Sequence, residues 1–262
     1  MSEVAHGPAK NPGSIQVIER MMSLLDALAD TPEAASLKQL AAVTELHPST
    51  AHRILAAMTN ARFVERQDAG TYRLGIRLLE LGAIVKSRIS LREVALPFMQ
   101  QLHETIGEAI NLGARRDDEI VYLERTSSGR SVVRVVYLVG GRAPLHLTSL
   151  GKLFLAADGP QKVREYAKRT GLPGKTPHSL TTLIALEKEL DKVRRHDVAY
   201  DDEEAEIGLK CVAAPIRDDE GAIIAALSVS APAERHDPNW IAQIKRTADA
   251  VSQALGYTGQ KK

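Results

Sequence analysis

The chain has 262 residues, of which 44% are hydrophobic and 26% are charged, and its formal net charge is +1. The single cysteine, Cys211, excludes an internal disulfide framework and suits a reducing cytoplasm. A run of about 18 apolar residues is absent, which excludes a membrane-spanning helix. A net charge this small favours no nucleic acid by itself, so any basic surface must be local.

The first 13 residues have no apolar stretch, and we expect a disordered leader there rather than a signal peptide. From Ser14 to Asp30 the apolar residues recur with helical spacing and predict a helix. Its apolar arc is broader than one small core needs, which indicates a surface for a partner.

Two shorter helices are predicted next, separated by a break. Ser36 and Gln39 have the spacing of a capping box, so a helix should begin at Leu37 and end near Thr44. Residues 45–47 form the break, because the residue before a proline avoids helical geometry. Pro48 suits the first position of a new helix that ends near Asn60.

The segment "FVERQDAGTYRLG" predicts two short strands around a turn at residues 67–70. A further helix, residues 76–90, should connect this region to the rest of the chain. Helices followed by a small hairpin form the winged helix-turn-helix arrangement, whose second helix in the turn enters the major groove of DNA.

We expect DNA contacts from the front of the helix after Pro48 and from the hairpin, or wing. The candidates on the helix are Ser49, Thr50, His52 and Arg53, which can bond bases or phosphates. On the wing, Arg66 and Arg73 are candidates for the DNA backbone or the minor groove. The alternative is a small helical domain that binds other proteins.

After residue 91 the pattern changes to strands interrupted by helices. Strands are predicted at "EAINLGA", "EIVYLERT", "SVVRVVYLV", "KCVAAPI" and "AIIAALSVS", and helices at Ser149–Ala157, Pro160–Thr170 and Thr182–Arg195. A last amphipathic helix runs through Ile241 and Leu255. This order favours an α+β fold with an antiparallel sheet.

The segments "SLKQLAAVTELHPSTAHRILAAMTNARFVER", "PLHLTSLGKLFLA" and "YDDEEAEIGLKCVAAPIRDDEGAIIAALSVSAP" resemble the IclR family of bacterial transcriptional regulators. The resemblance covers nearly the whole chain. It implies a winged helix-turn-helix domain over residues 14–75, a connector helix over 76–90 and a GAF-like effector-binding domain over 91–262. It also implies double-stranded operator DNA, a small organic or aromatic acid as effector, and a homodimer or dimer of dimers.

The resemblance further implies an effector site. The matching residues are Ser149, Leu150, Asp201, Cys211, Ser228 and Ser230, and Val135, Tyr137 and Leu145 would form its apolar wall. In strand geometry Ser228 and Ser230 lie on one face. Leu150 makes the site bulkier than is usual in the family, so the identity of the effector does not carry over.

Catalytic interpretations are weaker. Cys211 with His196 or His146 could be a nucleophile and its base, but no third orienting residue is evident. Gly151-Lys152 lacks the glycine and the hydroxyl residue of a phosphate-binding loop. The eight histidines show no metal-binding pairs, so we expect no metal, no cofactor and no enzyme activity. The remaining alternative is a small-molecule-binding or scaffold protein without DNA recognition.

Overall fold

The structure, a computed structural model, describes residues 16–31, 33–67, 70–88, 90–126 and 138–259. The expected leader lies outside these residues. The chain divides into two units, Met1–Arg88 and Ile89–Lys262, each with its own core. Among the described helices, none is both long enough and apolar enough to cross a membrane.

The described part of the N-terminal unit consists of helices and a three-stranded antiparallel sheet. The helices are α1 (Gln16–Ala29), α2 (Leu37–Val43), α3 (Pro48–Asn60) and α4 (Ile76–Arg88), and the strands are β1 (Ala35–Ser36), β2 (Val64–Arg66) and β3 (Thr71–Leu74). Strand β3 lies between β1 and β2 in the sheet. The predicted helices and the hairpin are confirmed.

Local chemistry sets the ends of these elements. At the start of α2, the Ser36 hydroxyl accepts from the Gln39 N–H at 3.3 Å and Gln39 Oε1 accepts from the Ser36 N–H at 2.8 Å, so the capping box is confirmed. After the wing, Gly75 is required because a Cβ there would lie 2.2 Å from the Arg62 carbonyl oxygen. This close approach lets the chain turn from β3 into α4.

Aliphatic side chains of α1, α2, α3 and the sheet form the core of this unit, including Leu24, Leu40, Leu55 and Val64. Other large apolar side chains stay exposed. On α1 these are Val17, Ile18 and Met22, and on α4 they include Ile76, Leu79 and Leu81. The broad apolar arc predicted for the first helix is therefore only partly used by the core of its own unit.

The C-terminal unit is built on one six-stranded antiparallel sheet. Its strands are β4 (Ala109–Arg116), β5 (Glu119–Thr126), β6 (Arg142–Pro144), β7 (Ala199–Asp202), β8 (Leu209–Arg217) and β9 (Ile223–Pro232), in the order β6-β5-β4-β9-β8-β7. Its helices are α5 (Leu91–Ile106), α6 (Ser149–Ala157), α7 (Pro160–Thr170), α8 (Leu183–His196) and α9 (Trp240–Ala254).

Two hydrophobic cores cover the two faces of this sheet. One face packs under α6, α7 and α8 with side chains such as Leu150, Tyr166 and Leu190. The opposite face packs under α5 and α9 with side chains such as Met99 and Ile244. The predicted α+β class with an antiparallel sheet is confirmed.

Four elements differ from the sequence prediction, and one of them is the short strand β1. Helix α5 was not predicted. Its buried residues Ala95, Met99 and Leu102 recur with helical spacing, but Pro97 lies inside the helix, and a proline there disfavours a helix. The short strands β6 and β7 were also missed. The predicted strand "SVVRVVYLV" falls mainly on residues 127–137, which lie outside the described residues, and so do Val135 and Tyr137.

Candidate nucleic-acid interface and effector site

Helix α3 presents a polar front away from its buried side. Its core side holds Leu55 and Met58, while Ser49, His52 and Arg53, spaced i, i+3 and i+4, share the opposite, exposed face. Thr50 is half-buried beside them. Three predicted DNA contacts are thus brought together on one helical face, and Thr50 lies at its edge.

The start of α3 is capped by a residue that the sequence did not single out. His47 precedes Pro48, and its Nδ1 atom accepts from the Ser49 N–H at 3.3 Å and lies 2.7 Å from the Ser49 hydroxyl. This contact holds Ser49 at the front of the helix. The following N–H groups and the helix dipole favour an anion such as a phosphate.

The arginines on and beside the wing are less available for DNA contacts than the sequence indicates. Arg73 faces Glu65 across the hairpin and pairs with it at 2.7 Å, and Arg62 and Arg77 both pair with Glu80. Hydrogen bonds from Arg73 and Arg77 lower the pKa of Glu65 and Glu80 respectively, so both carboxylates stay charged.

Arg53 and Arg66 are the arginines of this surface for which the described residues offer no ion pair. Both side chains are exposed. Exposed ion pairs contribute little to stability, so Arg73 can exchange Glu65 for a phosphate at small cost. Arg53 and Arg66 need no such exchange, which makes them the stronger phosphate or base contacts.

The polar effector-site candidates of the C-terminal unit line up across the sheet. Asp201 of β7 pairs with Cys211 of β8, and Cys211 pairs with Ser230 of β9. Paired residues of antiparallel strands project on the same face, and the Cys211 Sγ atom lies 3.1 Å from the Ser230 hydroxyl. Ser228 lies on that face two residues from Ser230, as alternation predicts.

Helix α6 covers this face of the sheet. Gly151 lets α6 pack against the turn that precedes it, because a Cβ there would lie 2.3 Å from the Leu145 backbone. Leu150 packs over β4, and Leu145 is fully buried in the same core. Ser149 is also buried, but the first turn is capped by Thr148, whose hydroxyl accepts from the Gly151 N–H at 3.0 Å.

A buried ion pair fixes the residues beside Asp201. Lys152 of α6 is 0% exposed, and its ammonium group lies 2.5 Å from Glu204 Oε1 and 2.8 Å from the Tyr200 carbonyl oxygen. Asp201 accepts from the N–H groups of Glu204 and Ala205. The acidic segment 201–206 is therefore partly buried, and no local sequence pattern indicates Lys152 as the partner of Glu204.

Asn111 of β4 is a second site residue that the sequence analysis missed. Its Nδ2 atom donates to the Ser230 hydroxyl at 2.9 Å and to the Ser228 hydroxyl at 3.3 Å. Only the pairing of β4 with β9 reveals this contact, because the residues are more than a hundred positions apart.

The nucleophile interpretation of Cys211 does not fit these contacts. Burial raises the pKa of its thiol well above the usual value, so the thiol stays protonated. His146 Nδ1 instead lies 2.8 Å from the Tyr166 hydroxyl, and its Nε2 atom lies 3.1 Å from the Pro173 carbonyl oxygen. Within the described part of the chain, no cluster of metal-ligating side chains forms.

Comparison with known proteins decides the family. Residues 17–68 match the IclR helix-turn-helix domain, and residues 83–255 match the bacterial transcriptional regulator IclR C-terminal domain. The chain belongs to the IclR family. Members of this family regulate transcription, with a helix-turn-helix domain that binds DNA and a C-terminal domain that binds an effector.

Relatives align over nearly their whole length. The chain is 31% identical to an uncharacterized HTH-type transcriptional regulator of Haemophilus influenzae, over 92% of this chain and 93% of the relative. It is 30% identical to the HTH-type transcriptional repressor AllR of Klebsiella pneumoniae, over 97% of this chain and 94% of AllR.

Solved structures of the IclR family show the same fold. The repressor BlcR of Agobacterium tumefaciens is 27% identical, with a TM-score of 0.81 over 93% of this chain and 98% of BlcR. An IclR homolog of Microbacterium hydrocarbonoxydans, solved in complex with 4-hydroxybenzoate, is 29% identical, with a TM-score of 0.59 over 91% of this chain and 98% of that homolog.

Asp201 gives this IclR-family chain a testable pH dependence. Burial raises the pKa of Asp201 to about 7, so the folded state retains a proton that the unfolded state releases above its ordinary value of 3.8. The contribution of Asp201 to the free energy of unfolding therefore falls as the pH rises from about 4 to about 7. Asp201→Asn stays neutral and keeps an acceptor for the two N–H groups.

We expect Asp201→Asn to gain stability relative to the native chain between about pH 5 and about pH 8, by roughly 1–4 kcal/mol. Urea unfolding at both pH values measures the difference. Asp202→Asn is the matched control, because the neighbouring Asp202 side chain is 64% exposed. A difference between Asp201→Asn and the native chain that is the same at both pH values would contradict the prediction.

Proposed function

We propose that the chain is a dimeric, sequence-specific transcriptional regulator that binds operator DNA with α3 and the wing. When a small organic acid binds the C-terminal unit, the protein dissociates from the DNA or changes its arrangement on it. One observation carries the proposal. The N-terminal unit places exposed polar side chains on one face of a helix, whereas the C-terminal unit places Asp201, Cys211, Ser228 and Ser230 on one buried sheet face. The first arrangement suits DNA and the second suits a small ligand.

The acidic nature of the effector rests on two supports. The Microbacterium hydrocarbonoxydans homolog is complexed with 4-hydroxybenzoate, an aromatic acid. In this chain, an ionised Asp201 would repel an anion in the proposed site. Because its pKa is raised to about 7, Asp201 can carry a proton at neutral pH. A protonated Asp201 can donate to a carboxylate instead of repelling it.

Control of DNA binding would follow from linkage. An effector that binds one arrangement of the dimer more tightly shifts the population toward that arrangement, and DNA binding changes by the same coupling free energy. Only residues 89 and 90 separate α4 from α5 along the chain. We therefore place the coupling in α4, the connector helix.

The DNA contacts are tested with the upstream region of the chain's own gene. Arg53→Ala should lose about 1–3 kcal/mol of operator affinity. The reason is that the Arg53 side chain is exposed and makes no ion pair with a described residue, so it is available to the DNA. Arg73→Ala should lose less, should weaken all sequences alike, and should flatten the salt dependence by about one unit. Fluorescence anisotropy at several salt concentrations measures both.

Glu65→Gln is the matched control on the wing. It releases Arg73 from its ion pair, so DNA affinity should stay the same or increase. An operator affinity that Arg53→Ala leaves unchanged would remove α3 from the interface. Absence of binding to the upstream DNA by the native chain would favour the alternative of a scaffold without DNA recognition.

The dimer is tested by light scattering at micromolar concentration. We expect at least a dimeric mass, because α1 and α4 expose large apolar side chains that a partner copy would cover. Ile18→Ser with Leu79→Ser should shift the mass toward the monomer. Val43→Ser is the control, because Val43 is 73% exposed on α2, and this variant should leave the mass unchanged. A monomeric native chain would refute the dimer.

The effector site is tested by separating the two functions. Ser228→Leu fills the buried face beside Asn111, so the chain should still bind operator DNA but no longer respond to the organic acid that releases the native chain. Ser230→Ala should cost roughly 0.5–1.5 kcal/mol of effector affinity, since one hydrogen bond is removed. A response that Ser228→Leu leaves intact would mean that the effector binds elsewhere.

A further inference from the structure

Two buried polar atoms on one face of the C-terminal sheet have no hydrogen-bond partner among the described residues. Asn111 is 1% exposed, and while its Nδ2 atom donates to both serines, its Oδ1 atom accepts no hydrogen bond from any described residue. The Nε atom of Arg125 on β5 is likewise buried and unpartnered among them. A buried polar group without a partner is unfavourable, so both atoms are suited to a ligand.

The strand register makes Asn111 and Arg125 neighbours. Asn111 pairs with Arg125 on one side and with Ser228 on the other, so the three side chains form a row across β5, β4 and β9. Directly paired residues have Cβ atoms about 4.5–5.5 Å apart on the same face. The unpartnered acceptor of Asn111 and the unpartnered donor of Arg125 thus adjoin the Asp201–Cys211–Ser230 row.

Arg125 is the cation among the charged groups that act on this region. Burial has the largest effect on the raised pKa of the Cys211 thiol, the carboxyl groups of Asp201 and Glu206 raise it further, and Arg125 lowers it. The guanidinium of Arg125 is charged at every physiological pH. Its planar donors match the geometry of a carboxylate.

We propose that Asn111 and Arg125 determine the specificity of the effector site, and that the effector is a small hydroxycarboxylic acid. Its carboxylate accepts from Arg125, and its hydroxyl donates to Asn111 Oδ1. The two side chains are adjacent, so the hydroxyl lies on the second or third carbon of the acid. This inference rests on the effector site proposed above and names the chemical class that the site selects.

The site should reject an acid that lacks the hydroxyl. Such an acid can satisfy Arg125, but it leaves the acceptor of Asn111 buried and unpaired. Sites built to bond a hydroxyl discriminate strongly against analogues that lack it, for this reason. The ratio of affinities for the two acids therefore reports on Asn111, whereas the affinity common to both acids reports on Arg125.

The test is calorimetric titration of the full chain with three matched pairs: glycolate and acetate, lactate and propionate, and 3-hydroxybutanoate and butanoate. We expect the native chain to bind the hydroxy acid of at least one pair about tenfold more tightly than its partner. Asn111→Ala should remove that preference, and Asn111→Ser serves if the alanine variant does not fold. A merely structural asparagine would leave the preference intact.

Arg125→Gln should weaken both members of the preferred pair alike, by about tenfold or more, and Arg125→Lys should restore part of the loss. Arg116→Gln is the matched control, because Arg116 lies on the same pair of strands at their far, exposed end and should not alter binding.

The inference is overturned if the native chain prefers no hydroxy acid in any pair, including the case in which it binds none of the six acids. It is also overturned if Asn111→Ala keeps the preference or Arg125→Gln keeps the affinity. Operator binding is measured on the same preparations. If the operator is bound and Ser228→Leu abolishes the response to another compound, the proposed function stands and only the hydroxy acid fails.

Discussion

The buried ion pair between Lys152 and Glu204 is the interaction on which the sensor half of this protein depends. Helix α6 can lie over the sheet only if the ammonium group of Lys152 has a partner, because an unpaired buried charge costs several kcal/mol. Glu204 supplies that partner from the segment after β7. The same segment offers its N–H groups to Asp201, so the pair also fixes the carboxyl group that borders the proposed effector site.

This arrangement sets the electrostatics of the site before any ligand arrives. Lys152 is committed to Glu204 and the Tyr200 carbonyl oxygen, so it cannot serve an anionic effector or a phosphate. In the proposed site, the favourable interactions with an acid come from Arg125 and from the protonated form of Asp201. Each group is placed by β-sheet pairing rather than by a loop, which gives the site a rigid floor.

The two units use polar residues in opposite ways. On α3 they are exposed and available to a large, strongly charged partner, while Glu65 and Glu80 neutralise much of the basic charge nearby. The whole chain carries 34 Lys and Arg residues and 33 Asp and Glu residues, so its net charge of +1 does not report on this local surface. On the C-terminal sheet the polar residues are buried and bonded to one another, and in the proposed site a ligand would be recognised by the few atoms that those bonds leave unsatisfied.

Local sequence determined the helices that have their own start signals: the capping box fixed α2, Pro48 fixed α3, and helical spacing gave α6 and α7 with their observed bounds. It also determined that Ser228 and Ser230 share a face, since alternation along one strand is local. The family pattern added Asp201 and Cys211. Tertiary structure alone decided that Asn111 bonds the serines, that Arg125 lies beside it, and that Lys152 pairs with Glu204. These contacts join residues 52 to 119 positions apart, or strands whose register depends on the packing of the whole sheet, and no local propensity encodes such pairing.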